Sequence, residues 1–298
     1  MQDASVIPIE IPKEQPTFVK TPLVEEIITR ALVYSASGFP VNFTGAAGTG
    51  KTSLAIYVAG QIGRPVVIIH GDEELGTSDL VGGQYGFRHR KTVDNFIHLV
   101  KKSDEDIQAR WVDNRLTVAC KHGFTLIYDE FTRSRPEANN ALLSTLEEKV
   151  LDVPAGRGKE SFISVNPNFR AIFTSNPDEY AGVYKAQDAL LDRMINIRLG
   201  HYDRDTEIAI TMAKSGVAKR DAEKIVDLVS GLRAEAKADG HIATVRACIM
   251  IARILKGYGG SAKATDAHFI RTCVDVLDSS GANGNTEKRV KRLAEKYA

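Results

Sequence analysis

The sequence predicts an α/β fold, a parallel sheet covered on both faces by helices, followed by a smaller all-helical domain. Three observations carry that reading. Short apolar runs (VNF, VVII, TLIY, AIFT, INI) alternate with helical patterns between residues 41 and 197. A glycine-rich turn, GAAGTGKT (45–52), joins the first of these strands to a helix. After about Tyr202 no strand pattern remains, and helical periods run on with glycine breaks at 216, 240, 257 and 281.

Taken in order, residues 1–17 read as an extended arm, with Asp3, Pro8, Pro12 and Pro16 in place of the basic and apolar regions of a signal peptide. An amphipathic helix is expected over 22–37, stopped by Gly38 and Pro40. PVNFTG is a strand, GKTSLAIYVAGQIG a helix closed by Gly63, and PVVIIHG a buried strand ending near His70. Residues 71–123 are longer than a plain crossover needs and read as an insertion. It holds a basic spot, FRHRK (87–91), with helices expected near Val93–Lys102 and Asp113–Lys121. The rhythm resumes with strand FTLIYD. Ser134 and Glu137 then form S-x-x-E, a capping box, with Pro136 in the first turn. Ala138, Ala141, Leu142, Thr145 and Leu146 fall on one helical face. A β-hairpin follows at about 150–166, then strand FRAIFTSNP, helix AQDALLDRM and strand INIRL. The domains expected are 18–202 and 203–298.

Composition narrows the function classes. A net charge of +1 gives no general argument for nucleic acid, and the basic runs FRHRK and EKRVKR (287–292) lack interleaved aromatics, so they read as solvated faces. No apolar run approaches the roughly 18 residues of a membrane helix. Cys120, Cys248 and Cys273 are odd in number and never in C-x-x-C spacing, so they read as buried small hydrophobes of a reducing cytosol. No histidine pairs at i, i+4 or joins a cysteine at ligand spacing.

The chemistry starts at the turn. GAAGTGKT fits G-x-x-x-x-G-K-[ST] in the strand–loop–helix setting that motif requires. Glycines let backbone N–H groups curl around phosphates, and the helix N-terminus adds its positive dipole end. The cradle is Gly45, Ala46, Ala47, Gly48, Thr49, Gly50, Lys51, Thr52 and Ser53. Lys51 would reach the β- and γ-phosphates of a nucleotide, as in kinases and GTPases as well, and the Thr52 hydroxyl would bind Mg²⁺. An acid at the end of a neighbouring strand holds the ion in such sites, here Asp129. Glu130 beside it would polarise the attacking water, and Asn176 in TSNP would orient that water from the other side. No N-K-x-D guanine reader is present.

The ordered set GAAGTGKT, LIYDEF, IFTSNP, LLDRM and ATVR resembles an AAA+ ATPase of the MoxR branch. Longer strings, among them HGDEELGTSDLVG, DEFTRSRPEANN, FRAIFTSNPDEYAGV and HYDRDTE, are similar to the gas vesicle GvpN family, grouped with CbbQ, NirQ and NorQ. The resemblance runs from about Phe18 to Lys256; Tyr184 stands where a histidine is expected. It implies an αβα P-loop sandwich with strand order 5-1-4-3-2, a helical lid over 203–298, and ATP between neighbouring subunits of a homo-oligomeric ring, expected as a hexamer. It assigns Asn176 as sensor 1, Arg193 as an arginine finger acting in trans, and Arg246 as sensor 2. Arg133 is a further candidate for the same cleft, with a surface role as the other reading.

Those implications point to an ATP-driven, cytoplasmic, vesicle-associated assembly factor that remodels or places gas vesicle shell or accessory proteins. Three other readings stand beside it. One is a MoxR-type chaperone that activates Rubisco or nitric oxide reductase. Another is a nucleotide-binding shell component without meaningful hydrolysis, against which the full set Lys51, Asp129, Glu130, Asn176 and Arg193 speaks. The last is a DNA translocase.

Overall fold

The computed structural model describes residues 17–94, 102–153, 161–176, 188–235, 243–278 and 283–297. The first elements are α1 (Pro22–Ala36), β1 (Val41–Thr44), α2 (Lys51–Ile62), β2 (Val66–His70) and a short α3 (Thr77–Val81). A hairpin of β3 (Gly82–Asp94) and β4 (Lys102–Asp113) follows, then α4 (Arg115–His122) and β5 (Thr125–Asp129). A 3₁₀ turn (Phe131–Arg133) leads into α5 (Pro136–Glu147), β6 (Val150–Asp152), β7 (Phe162–Ser164) and β8 (Arg170–Ser175). Next come α6 (Asp188–Leu191) and β9 (Ile195–Arg198). The remainder is helical: α7 (Arg204–Ser215), α8 (Lys219–Glu235), α9 (Val245–Gly257), α10 (Ala267–Leu277) and α11 (Asn283–Lys296).

The chain divides into two compact units. The first lies within Leu32–Phe43 and Val58–Asn196; the second within Glu14–Ala31, Thr44–Tyr57 and Ile197–Ala298. The phosphate-loop segment therefore clusters with the C-terminal helices.

In the first unit the sheet order is β2-β5-β8-β1-β9. β2 and β8 flank β5, both parallel to it, with His70 opposite Asp129 and Tyr128 opposite Phe173. β5 is buried along its whole length, as a strand covered on both faces must be. Tyr128, Phe131 and Phe173 meet with ring centroids 5.5–6.2 Å apart and are almost fully buried. Burying each such ring stabilises by about 1.5–3 kcal/mol. This cluster anchors the ends of β5 and β8, where the polar residues emerge.

Two expectations need correction here. The helix expected near Val93–Lys102 is flanked by strand at both ends: Val93 and Asp94 belong to β3 and Lys102 to β4, while 95–101 lie outside the described residues. At those two ends antiparallel pairing, Val93 with Ser103 and Asp94 with Lys102, overrides local preference. The helix expected at Asp113–Lys121 is α4, capped by the Asn114 side chain and ended by Gly123 in the left-handed conformation.

The second correction concerns the capping box. Ser134 does not cap α5; the N-cap position is Arg135, with Pro136 as the first helical residue. The Ser134 hydroxyl accepts instead from Tyr128 Oη at 2.7 Å and from the Asp72 N–H at 3.2 Å. A tertiary partner has outcompeted the local one.

Of the expected glycine breaks, Gly216 caps α7 in the left-handed conformation and Gly257 ends α9; 240 and 281 lie outside the described residues. So do residues 1–16, Tyr184 and the turn between β6 and β7, which pair antiparallel.

The second unit has its own apolar core, including Ile225, Val229, Ile251, Phe269 and Val290. Cys120, Cys248 and Cys273 are free and buried, and burial pushes the Cys120 and Cys248 thiols up to about 12. At this pKa they behave as apolar groups, as read from spacing. Asp203 caps α7, its carboxylate accepting from the Thr206 N–H at 2.9 Å. Glu207, 2% exposed, meets Arg233 at 3.0 Å. Arg289 and Arg292 of the C-terminal basic run both hold Glu235, so part of that run serves the fold. Among the described residues no helix is long and apolar enough to cross a membrane.

Candidate active site

In the second unit the glycine loop follows Thr44, the last residue of β1, and leads into α2. Gly45, Gly48 and Gly50 all take positive φ (155°, 80° and 87°). At Gly48 the requirement is double: a Cβ there would also stand 2.4 Å from Thr244 Oγ1 and 3.0 Å from Arg246 Cβ. The loop is thus packed directly on the ATVR segment that opens α9.

Lys51 is the first residue of α2 and only 7% exposed. Its ammonium donates to the carbonyls of Gly45 and Ala46, each at 2.8 Å. The Thr49 hydroxyl donates to the Ala46 carbonyl at 2.9 Å, while Thr52 and Ser53 follow half-buried in the first helical turn. That turn carries no acid to oppose a phosphate at the positive end of the helix.

Tyr202 donates its hydroxyl to the Thr49 carbonyl at 2.9 Å, and burial pushes its phenol up to about 12, so it remains a donor at neutral pH. Beside the loop opens a cavity of about 190 Å³ lined by Phe18, Val19, Gly48, Gly50, Tyr202 and Arg246. Phe18 lies flat on Tyr57, ring centroids 4.1 Å apart.

In the first unit the acid pair emerges at the end of β5. Asp129 is 8% exposed; its Oδ1 accepts from the Thr174 hydroxyl at 2.7 Å, and its Oδ2 stands 3.6 Å from His70 Nδ1. Glu130 adopts the left-handed conformation (φ 53°). Its N–H donates to Thr174 Oγ1 at 2.8 Å, and its Oε2 accepts from Arg133 at 2.9 Å. Gly71 makes the turn possible, since a Cβ there would lie 2.0 Å from the Glu130 carbonyl oxygen. Arg133 also lines a cavity with Gly71, Asp72, Glu73 and Glu74. Asn176 follows β8 directly and is buried. Its predecessor Ser175 joins Asn42 and Asn196 in a polar row across the sheet. Arg193, just past α6, is held by Glu147 at the end of α5.

Within the second unit, then, the loop residues and Arg246 are brought together. Within the first, Asp129 and Glu130 meet, with Thr174 joining them. Tyr202 and Thr174 were missed as site residues. The only signal for either lay in the strings HYDRDTE and TSNP, where neither residue type announces a partner far away in sequence.

Residues 40–194 match the family model described as AAA domain (dynein-related subfamily). The chain is 48% identical over 290 residues to the gas vesicle ATPase GvpN of Ancylobacter aquaticus, covering 96% of this chain and 81% of that protein. With GvpN of Haloferax mediterranei it is 46% identical, covering 91% and 77%. Identity falls to 22–25% with NirQ, CbbQ and NorQ. Among solved structures it shares its fold with RuvB of Thermotoga maritima, a Holliday junction branch migration motor, at TM-score 0.53 and 16% identity, covering 90% of this chain and 72% of that one. A chain this similar to ATPases binds nucleotide and hydrolyses ATP. The fold is that of a P-loop AAA+ ATPase, and the chain belongs to the gas vesicle ATPase GvpN family.

Proposed function

We propose that this chain drives gas vesicle formation by cycling ATP within a homo-oligomeric, hexameric ring in the cytoplasm, remodelling or placing vesicle shell or accessory proteins. The observation that carries this reading is the 46–48% identity with gas vesicle ATPases over more than nine tenths of this chain. In the cycle, residues Gly45 to Ser53 cradle the triphosphate with backbone N–H groups and Lys51 takes its β- and γ-oxygens. The cavity lined by Phe18, Tyr202 and Arg246 takes the remainder of the nucleotide. Glu130 accepts the proton of the attacking water, Asn176 orients that water, and Arg246 answers the phosphate charge from the lid.

Thr52 and Asp129 are the residues that would hold Mg²⁺. One hydroxyl and one carboxylate, with phosphate oxygens and waters completing the shell, suit this ion better than an all-protein cage would. The Asp129 carboxylate is fixed by its bond from Thr174, as a metal donor needs to be. The ion, when bound, neutralises charge that develops on the phosphates.

Arg193 is proposed to act on the ATP of the adjacent subunit. In this chain it rests on Glu147, which is 58% exposed. An exposed pair contributes roughly 0–1 kcal/mol. An arginine finger is worth 10³–10⁵ in rate, about 4–7 kcal/mol. Release from Glu147 is therefore cheap beside the gain.

The test is genetic and physical. In a gas-vesicle-forming host stripped of its own GvpN, this chain should restore vesicles, read by pressure-sensitive light scattering, whereas Lys51→Ala should not. A chain that hydrolyses ATP normally yet restores no vesicles contradicts the assembly role.

A further inference from the structure

Two acids in sequence at the end of a strand should point to opposite faces, and two like charges so close repel. Something must hold them in place. The parallel register that sets Tyr128 opposite Phe173 brings the next residue of β8, Thr174, alongside Asp129. Thr174 is completely buried. Its hydroxyl has one proton, which goes to Asp129 Oδ1 at 2.7 Å, and an acceptor lone pair that takes the Glu130 N–H at 2.8 Å. One side chain thus binds the side chain of the first acid and the main chain of the second.

The second bond matters because Glu130 sits at φ 53°, a conformation that costs a non-glycine residue and persists only where its surroundings over-determine it. Here the surroundings are the Thr174 acceptor on one side and Gly71 on the other. The Gly71 N–H donates to the Asp129 carbonyl at 2.7 Å. The left-handed turn breaks the period-two alternation of the strand, so Glu130 leaves it in a new direction.

We propose that Thr174 is the positioning residue of the acid pair, fixing the Asp129 carboxylate for its cation and the Glu130 turn for its water through one hydroxyl. This rests on reading Asp129 as metal holder and Glu130 as base. Valine has the shape of threonine without the hydroxyl; serine keeps the hydroxyl without the methyl. In the full-length chain, Thr174→Val should lower kcat by about 10- to 100-fold, the range seen when the support of a metal ligand is removed. KM for ATP should change less than about twofold, because the loop residues that bind the phosphates are untouched. Mn²⁺ affinity of the ADP-loaded protein, read by electron paramagnetic resonance without any turnover, should weaken about tenfold. Thr174→Ser should keep both properties within about threefold of the parent.

A Thr174→Val protein with parental kcat and Mn²⁺ affinity overturns the proposal. So does a serine variant as damaged as the valine one, because methyl packing would then be the cause. Glu130→Gln run in parallel separates the two readings. If it turns over normally the base assignment fails; if it is inactive while Thr174→Val is not, only the positioning role fails. Should the valine variant not fold, hydrogen exchange at the Glu130 amide of the unaltered chain decides. Protection is expected, and exchange at the unprotected rate overturns the proposal.

Discussion

The phosphate loop and the acid end of β5 are built on different principles. In the loop, backbone does the work: three glycines with positive φ, carbonyls that hold Lys51, and a helix start free of acids. At the acid end, side chains do it: Thr174 across the sheet, Arg133 one turn on, and Ser134 tied to Tyr128. Binding a triphosphate needs many N–H groups in one place, which only local backbone geometry supplies. The base and metal carboxylate proposed here need single atoms placed well, which distant side chains do best. Substitutions in the first region should therefore disturb affinity, and those in the second should disturb turnover.

The largest expected effect comes from a side chain. Arg193→Ala should keep ATP binding and lose roughly 10³–10⁵ of ring-dependent hydrolysis. Mixing it with Lys51→Ala subunits, which keep Arg193 but bind no ATP, should restore part of the rate. A mixture as inactive as the mutant alone argues against action in trans. Next, Glu130→Gln should lose about 10²–10⁴ in turnover, with nucleotide affinity, measured by fluorescent ATP titration, unchanged. A loss of affinity in its place would erase the contrast between the regions.

The third prediction sits in the loop. Gly48→Ala must place a methyl against Thr244 Oγ1 and Arg246 in a left-handed backbone. That conformation costs roughly 1–2 kcal/mol, so nucleotide affinity should fall by about tenfold. Unchanged binding would mean that the loop is less exacting than its packing implies.

The smallest effect tests the second unit away from chemistry. Asp203→Ala removes the α7 cap and should cost about 1 kcal/mol of stability at pH 7. Hydrogen bonds from Thr206 hold the Asp203 carboxyl below the usual aspartate range. Its contribution is thus complete above about pH 4 and lost as pH falls through the depressed value. Melting curves of the two proteins should converge in that acid window and differ at neutrality. Equal stability at pH 7 would remove the cap from the account.

The same contrast explains what was legible in sequence. The glycine loop was, because its signal is local: glycine spacing, a lysine and a strand–helix setting within eight residues. The acid pair was visible as an anomaly at a strand end, but its support was not. Thr174 lies 45 residues from Asp129, and nothing in TSNP distinguishes a threonine that bridges two acids from one that merely fills a strand. Ser134 shows the failure in its sharpest form. Its spacing to Glu137 reads as a helix cap, yet its hydroxyl is taken by Tyr128, six residues back, and by Asp72. The pairing of β3 with β4 was hidden for the same reason: the partner that makes each of them a strand is not local in sequence.

The most direct test is a high-resolution reconstruction of the protein with a slowly hydrolysed ATP analogue and Mg²⁺. Lys51 Nζ should contact the β- and γ-phosphates of the same nucleotide whose metal is ligated by Thr52 and Asp129, with Glu130 freed to face a water. A triphosphate bound at the glycine loop with Asp129 and Glu130 remote from it would contradict the account.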